Sequence, residues 1–117
     1  MSAVMTLPTY EERVAGFDWA LSEEELGVSR EGRVNIGWHC SDRICDQGRA
    51  QAPALIWEDF AGAGRVYTFN DLRVLSNTIA RFLQSLDVAP GERVCLFMDR
   101  IPELYIGFLG ILKMGSN

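Results

Sequence analysis

At 117 residues, 48% of them hydrophobic and 23% charged, the chain has the size and composition of one globular domain and is too apolar for a disordered tail. Its net charge of −5 argues against a nucleic-acid surface, which needs clustered Lys and Arg. The excess is local: residues 1–31 hold seven acids and two arginines, and residues 32–117 hold nine of each sign.

Met1 to Thr9 lacks the basic start and long apolar run of a secretory leader. The apolar stretch Leu104 to Met114 is about half the ~20 residues that a membrane-spanning helix needs, so no membrane partner is expected. Cys40, Cys45 and Cys95 are an odd number and make no disulfide framework, so reduced thiols and a cytoplasmic location are expected.

Residues Leu7 to Leu26 read as a peripheral arm with two short helical pieces, Tyr10 to Phe17 and Ser22 to Leu26. Ser22, three residues before Glu25, predicts a capping box for the second. The acids Glu23, Glu24 and Glu25 suit the positive end of a helix dipole better than a metal or a basic partner.

Val34 to Asp46 is expected to form an amphipathic helix with Val34, Trp38 and Ile44 turned inward. It concentrates His39, Cys40, Asp42, Cys45 and Asp46, but Cys40 and Cys45 stand five apart where zinc pairs stand two to four apart. Adjacent helical residues such as His39 and Cys40 do not face each other as base and nucleophile must. Surface or packing roles are expected for all five.

Pro53 to Glu58 and Arg65 to Thr68 flank Asp59-Phe60-Ala61-Gly62-Ala63-Gly64 and predict a hairpin with a glycine-rich tip. Phosphate loops lead from a strand into a helix, whereas these glycines lead into a second strand. Thr68, three residues before Asp71, predicts a capped helix starting near Phe69. Leu72, Leu75, Ile79, Phe82, Leu83 and Leu86 would form its apolar face, with Arg73, Asn77, Arg81 and Gln84 opposite.

The turn Asp87 to Glu92, with Pro90 and Gly91, leads to Arg93 to Met98, whose continuous apolar run suits a parallel strand covered on both faces. Pro102 marks the first turn of a second helix, apolar on nearly every side from Leu104 to Met114. Arg100 and Glu103 fall just beyond that strand's carboxyl end, where α/β ligands often bind, though a surface Arg–Glu contact at a helix start explains them as well.

The expected fold is α/β: a helical arm, then hairpin, helix, strand and helix, with the sheet incomplete. The expected division is an acidic arm at 1–31 and a partial α/β subdomain at 32–117. A buried final helix and an open sheet edge imply further layers, so the chain reads as the N-terminal piece of something larger.

The blocks Tyr67-Thr68-Phe69-Asn70-Asp71-Leu72, Ser76-Asn77 with Ala80, Pro90-Gly91-Glu92-Arg93-Val94, Pro102-Glu103-Leu104 and Gly110-Ile111-Leu112-Lys113-Met114-Gly115 together resemble the start of AMP-forming acyl-CoA synthetases, of the adenylate-forming superfamily. Tyr10-Glu11-Glu12, Phe17-Asp18-Trp19, Asn35, and Asp42-Arg43 ahead of Ala54-Leu55-Ile56-Trp57-Glu58 are similar to the acetyl-CoA synthetase branch. The resemblance covers nearly the whole chain.

It implies a parent ligase that joins a carboxylate to ATP and passes the acyl group to CoA, with Mg²⁺ on the phosphates. It also implies that this chain is the N-terminal fragment of such an enzyme's large domain. The family's Ser/Thr/Gly-rich loop ending in Pro-Lys-Gly, its adenine and ribose segments and its mobile-domain lysine have no counterpart here. Lys113, the sole lysine, lies in the apolar helix instead. No residue is therefore expected to be catalytic, cofactor-binding or metal-ligating, and the segment is expected to be inactive alone. The alternative is a stand-alone binding or oligomerisation module, paired through its sheet edge or its last helix.

Overall fold

Capping side chains decide where the helices begin. The chain divides into two compact units, Met1–Val34 and Asn35–Asn117, and the computed structural model describes residues 7–28 and 32–115. In the first unit, α1 (Tyr10–Ala15) opens on a reciprocal box: the Glu12 amide donates to Thr9 Oγ1, and the Thr9 amide donates to Glu12 Oε2. Helix α2 (Trp19–Leu26) begins three residues before the expected Ser22. Asp18 accepts the Ala20 amide at 2.8 Å and so caps first, leaving Ser22 inside the helix. Phe17 and Trp19 stack edge to face with ring centroids 5.1 Å apart.

The second unit runs α3 (Ile36–His39), α4 (Asp42–Ile44), a π-helical turn (Cys45–Arg49), β1 (Pro53–Glu58), β2 (Gly64–Thr68), α5 (Phe69–Ser85) and α6 (Pro102–Lys113). Strands β1 and β2 pair antiparallel, with Leu55 opposite Tyr67, Trp57 opposite Arg65 and an irregularity between Pro53 and Leu55. Helix α5 starts at Phe69 as expected, with Thr68 and Asp71 exchanging side-chain and backbone hydrogen bonds.

The single helix expected over Val34 to Asp46 is broken in the structure. Ser41 leaves helical dihedrals at φ −134°, ψ −71°, and Gly48 is left-handed at φ 83°. The inward register also differs. Gly37, Ser41 and Cys45 are buried, while Trp38 stays 41% exposed. A Cβ on Gly37 would lie 2.6 Å from the Leu109 carbonyl oxygen and 2.7 Å from Lys113 Cγ, so α3 crosses α6 at a distance that only glycine allows.

The same logic shapes the α5–α6 crossing. A Cβ on Gly110 would meet Ile79 Cβ at 2.7 Å and the Ser76 carbonyl oxygen at 2.9 Å. Leu72 and Ser76 are buried and Ile79 and Leu83 half-buried, whereas Leu75, Phe82 and Leu86 are exposed. Small residues thus replace large ones at the contact line. Ser76 satisfies its buried hydroxyl by donating to the Leu72 carbonyl one turn back. On α6, Ile106, Gly107, Gly110 and Ile111 are buried, and Tyr105 and Phe108 remain about half exposed.

The expected strand Arg93 to Met98 joins no ladder, and among the described residues the sheet has two strands, β1 and β2. A strand needs a neighbour's amides and carbonyls, and among the described residues none pairs with this segment. It is also not covered on both faces. Val94 and Leu96 are half-buried while Cys95 and Phe97 face outward, Phe97 fully, which is the two-residue period of extended chain packed on one side. Leu96 lies under α6, where its Cδ atoms would be 3.4 Å from a Cβ on Gly107.

Candidate functional site

Helix α6 starts without local help. Pro102 occupies its first turn and no side chain caps it from Ile101, in contrast to the boxes at Thr9 and Thr68. The hairpin supplies the missing anchors. Trp57 Nε1 donates to the Arg100 carbonyl at 2.8 Å, and Arg65 reaches Glu103 with both guanidinium nitrogens, at 2.9 and 3.5 Å. The Arg65 guanidinium carbon lies 4.9 Å from the Trp57 ring centroid and 6.0 Å from that of Tyr67, and Nη1 also donates to the Tyr67 hydroxyl.

Hydrogen bonding from Arg65 holds the Glu103 carboxyl below the usual carboxylate range, and the same bond raises the Arg65 guanidinium. Glu103 therefore pairs with Arg65 and not with Arg100, as a contact within the helix start would have required. The partner lies across the fold, where sequence spacing gives no hint of it.

Between the hairpin and this corner lies an open cleft of about 910 Å³, lined among others by Ile56, Trp57, Phe60, Arg100, Ile101 and Tyr105. It brings Arg100 to a concave surface whose lining also includes Asp59 and Asp99.

A second polar centre lies at the other end of α6. Lys113, whose side chain is 7% exposed, pairs with Asp42, which is 16% exposed. Its Nζ also donates to Asn77 Oδ1 at 2.9 Å and the Arg73 carbonyl at 3.4 Å. The Lys113 carbonyl accepts from Asn35 Nδ2 at 2.9 Å, and Asn35 Oδ1 caps α3 through the Trp38 amide. One lysine thereby ties α3, α4, α5 and α6 together. Asn77, expected on a solvent face, is half-buried because it serves this lysine.

The other singled-out residues do not converge. Asp42 belongs to Lys113, Asp46 lies 3.8 Å from Arg73, Cys45 is buried and Cys40 is exposed. Among the described residues no group of three or more His, Cys, Asp or Glu could hold a metal ion. His39 Nδ1 lies 2.9 Å from the Asn35 carbonyl, so Nδ1 carries the proton, and Nε2 is buried with no hydrogen-bond partner among the described residues. The hairpin tip does not fit a phosphate. Asp59 Oδ1 takes the Ala61 and Ala63 amides and the Asp59 carbonyl takes that of Gly62, which leaves no donor nest for an anion.

A hairpin feeding a capped helix, an extended apolar segment and a second apolar helix makes up part of a mixed α/β layer. The chain belongs to the AMP-binding enzyme family, whose sequence signature matches residues 42–116. It is 35% identical to an acetyl-coenzyme A synthetase of Bacillus subtilis over 111 residues, covering 94% of this chain and 19% of the relative. It is also 35% identical to an acetyl-coenzyme A synthetase of Deinococcus radiodurans over 99 residues, or 85% of this chain and 15% of the relative. The crystal structure of a Brucella canis acyl-CoA synthetase superposes with a TM-score of 0.84 at 28% identity, over 94% of this chain and 20% of that one. The chain thus spans about a fifth of the length of such relatives.

Proposed function

We propose that these residues form the N-terminal scaffold of an acetate-type, AMP-forming acyl-CoA ligase acting in the cytoplasm, and that the remainder of that enzyme is their principal partner. The reaction of the whole enzyme joins a short carboxylate to the α-phosphorus of ATP, releases pyrophosphate, and then transfers the acyl group from AMP to the thiol of CoA. ATP, Mg²⁺ and CoA are held by other parts of that enzyme. The contribution of this segment is to hold an apolar segment and an apolar helix in register for the layers beside them. The match across 94% of the chain to an acetyl-coenzyme A synthetase carries this reading.

The exposed apolar groups support it: Phe97 is 100% and Ile56 74% exposed, and Ile56 and Tyr105 line one cleft. Large apolar side chains left open in this way are expected to be covered in the working protein.

The test is acetate-dependent exchange of pyrophosphate into ATP. The 117-residue chain alone is expected to show none. A B. subtilis acetyl-coenzyme A synthetase whose matching segment is replaced by this chain is expected to retain exchange, and a well-folded chimera without exchange overturns the proposal. Stable dimers of the isolated chain at low concentration, by mass in solution, would favour a separate oligomerisation module through the same exposed surfaces.

A further inference from the structure

We infer that Trp57, Arg65 and Glu103 form a latch by which the hairpin, rather than any local cap, sets the start of α6 and the Asp99–Ile101 turn before it. From Val94 to Met98 no ladder bond fixes the chain, and Ile101 offers no capping side chain. Within the turn itself, the Ile101 amide donates to the Asp99 carbonyl at 2.8 Å and the Leu104 amide to the Ile101 carbonyl at 3.0 Å. Both bonds stay inside the segment, and Pro102, fully buried, packs the helix start on the body but holds neither the Arg100 carbonyl nor the Glu103 carboxylate.

Position is supplied from 38 and 43 residues away in sequence, by Arg65 on Glu103 and Trp57 on the Arg100 carbonyl. The two are not independent. Arg65 and Trp57 face each other across β1 and β2, so the guanidinium that grips Glu103 also rests on the indole that grips residue 100. Holding the indole by a stacked cation aims its N–H at one carbonyl, and the planar fork of Arg65 admits Glu103 in one orientation. A lysine at position 65 would keep the charge but lose the fork.

The latch has a local consequence that packing alone would not produce. Removing it frees the turn and the first turn of α6 while leaving the α5–α6 crossing at Ser76, Ile79 and Gly110 in place. Arg65→Ala, Glu103→Gln and Trp57→Phe in the 117-residue chain test this by amide hydrogen exchange under native conditions. The Ile101 and Leu104 amides are expected to exchange roughly three- to tenfold faster in each variant, as loss of exposed ion-pair and cation–π contacts implies. The Met114 amide, bonded to the Gly110 carbonyl, is expected to keep its protection. Arg65→Lys should fall between wild type and Arg65→Ala. Unchanged exchange at Ile101 and Leu104, or equal acceleration at Met114, overturns the inference. If Trp57→Phe unfolds the chain, the two surface variants decide alone.

Discussion

Gly110→Ala and Gly107→Ala, three residues apart on one helix, are expected to change stability in opposite directions. At Gly110 the new Cβ would sit 2.7 Å from Ile79 Cβ and 2.9 Å from the Ser76 carbonyl oxygen. Neither atom can rotate away, because one is the first side-chain carbon and the other is backbone, so the helices themselves must separate. Overpacking of this kind costs about 1–3 kcal/mol, and the better helix propensity of alanine offsets up to about 1 kcal/mol. The net expectation is a loss of about 1–2 kcal/mol, which lowers a urea midpoint by about 0.5–1 M at the slopes usual for small domains. At Gly107 the nearest atoms are the two Leu96 methyl carbons, each at 3.4 Å, the ends of a flexible side chain on the extended segment. There the propensity term dominates, and a gain of up to about 1 kcal/mol is expected. Urea unfolding of the 117-residue chain, followed by far-ultraviolet circular dichroism, reads both. Should Gly110→Ala prove as stable as wild type, the close α5–α6 crossing is wrong, and with it the account of why Ser76 is buried.

Three further outcomes are expected. Lys113→Met leaves Asp42 without its cation and should cost about 3–5 kcal/mol, whereas the double variant Lys113→Met/Asp42→Leu should recover much of that loss, because both buried charges then vanish together. Thr68→Ala should lower stability by about 1 kcal/mol through the lost cap of α5, with Thr68→Ser close to wild type in the same urea series. Glu103 and Asp71 have folded-state pKa values below the carboxylate norm, through Arg65 and through the Thr68 backbone amide respectively. Their stabilisation is therefore complete above the ordinary carboxylate range and lost as pH falls through the lowered values. A carboxyl titration by NMR should show the Glu103 midpoint moving up in Arg65→Ala and that of Asp71 staying where it is.

Much of the local structure was legible in the residues themselves. The Thr68–Asp71 box and the glycine-rich hairpin tip are decided by neighbours three or four positions away, within reach of sequence spacing, and Pro102 marks the first turn of α6 by its own fixed φ. Family membership was legible too, because several short blocks keep their order and separation along nearly the whole chain. Local competition defeated the reading at α2, where Asp18 captured the start ahead of Ser22.

What the tertiary structure alone decided is which residues face inward and which charges meet. Hydrophobic periodicity assigned Trp38, Leu75 and Phe82 to buried faces, but close helix crossings select the smallest side chains for the contact line, and Gly37, Ser41, Ser76 and Gly110 took those places. Arg65 with Glu103, and Lys113 with Asp42, join residues 38 and 71 positions apart in sequence. Their meeting depends on how α6 lies against the hairpin and against α3 to α5, a relation that spacing along the chain does not encode. Arg93 to Met98 shows the same boundary from the other side: its apolar residues predispose it to a strand, and only a neighbouring strand's hydrogen bonds can make it one.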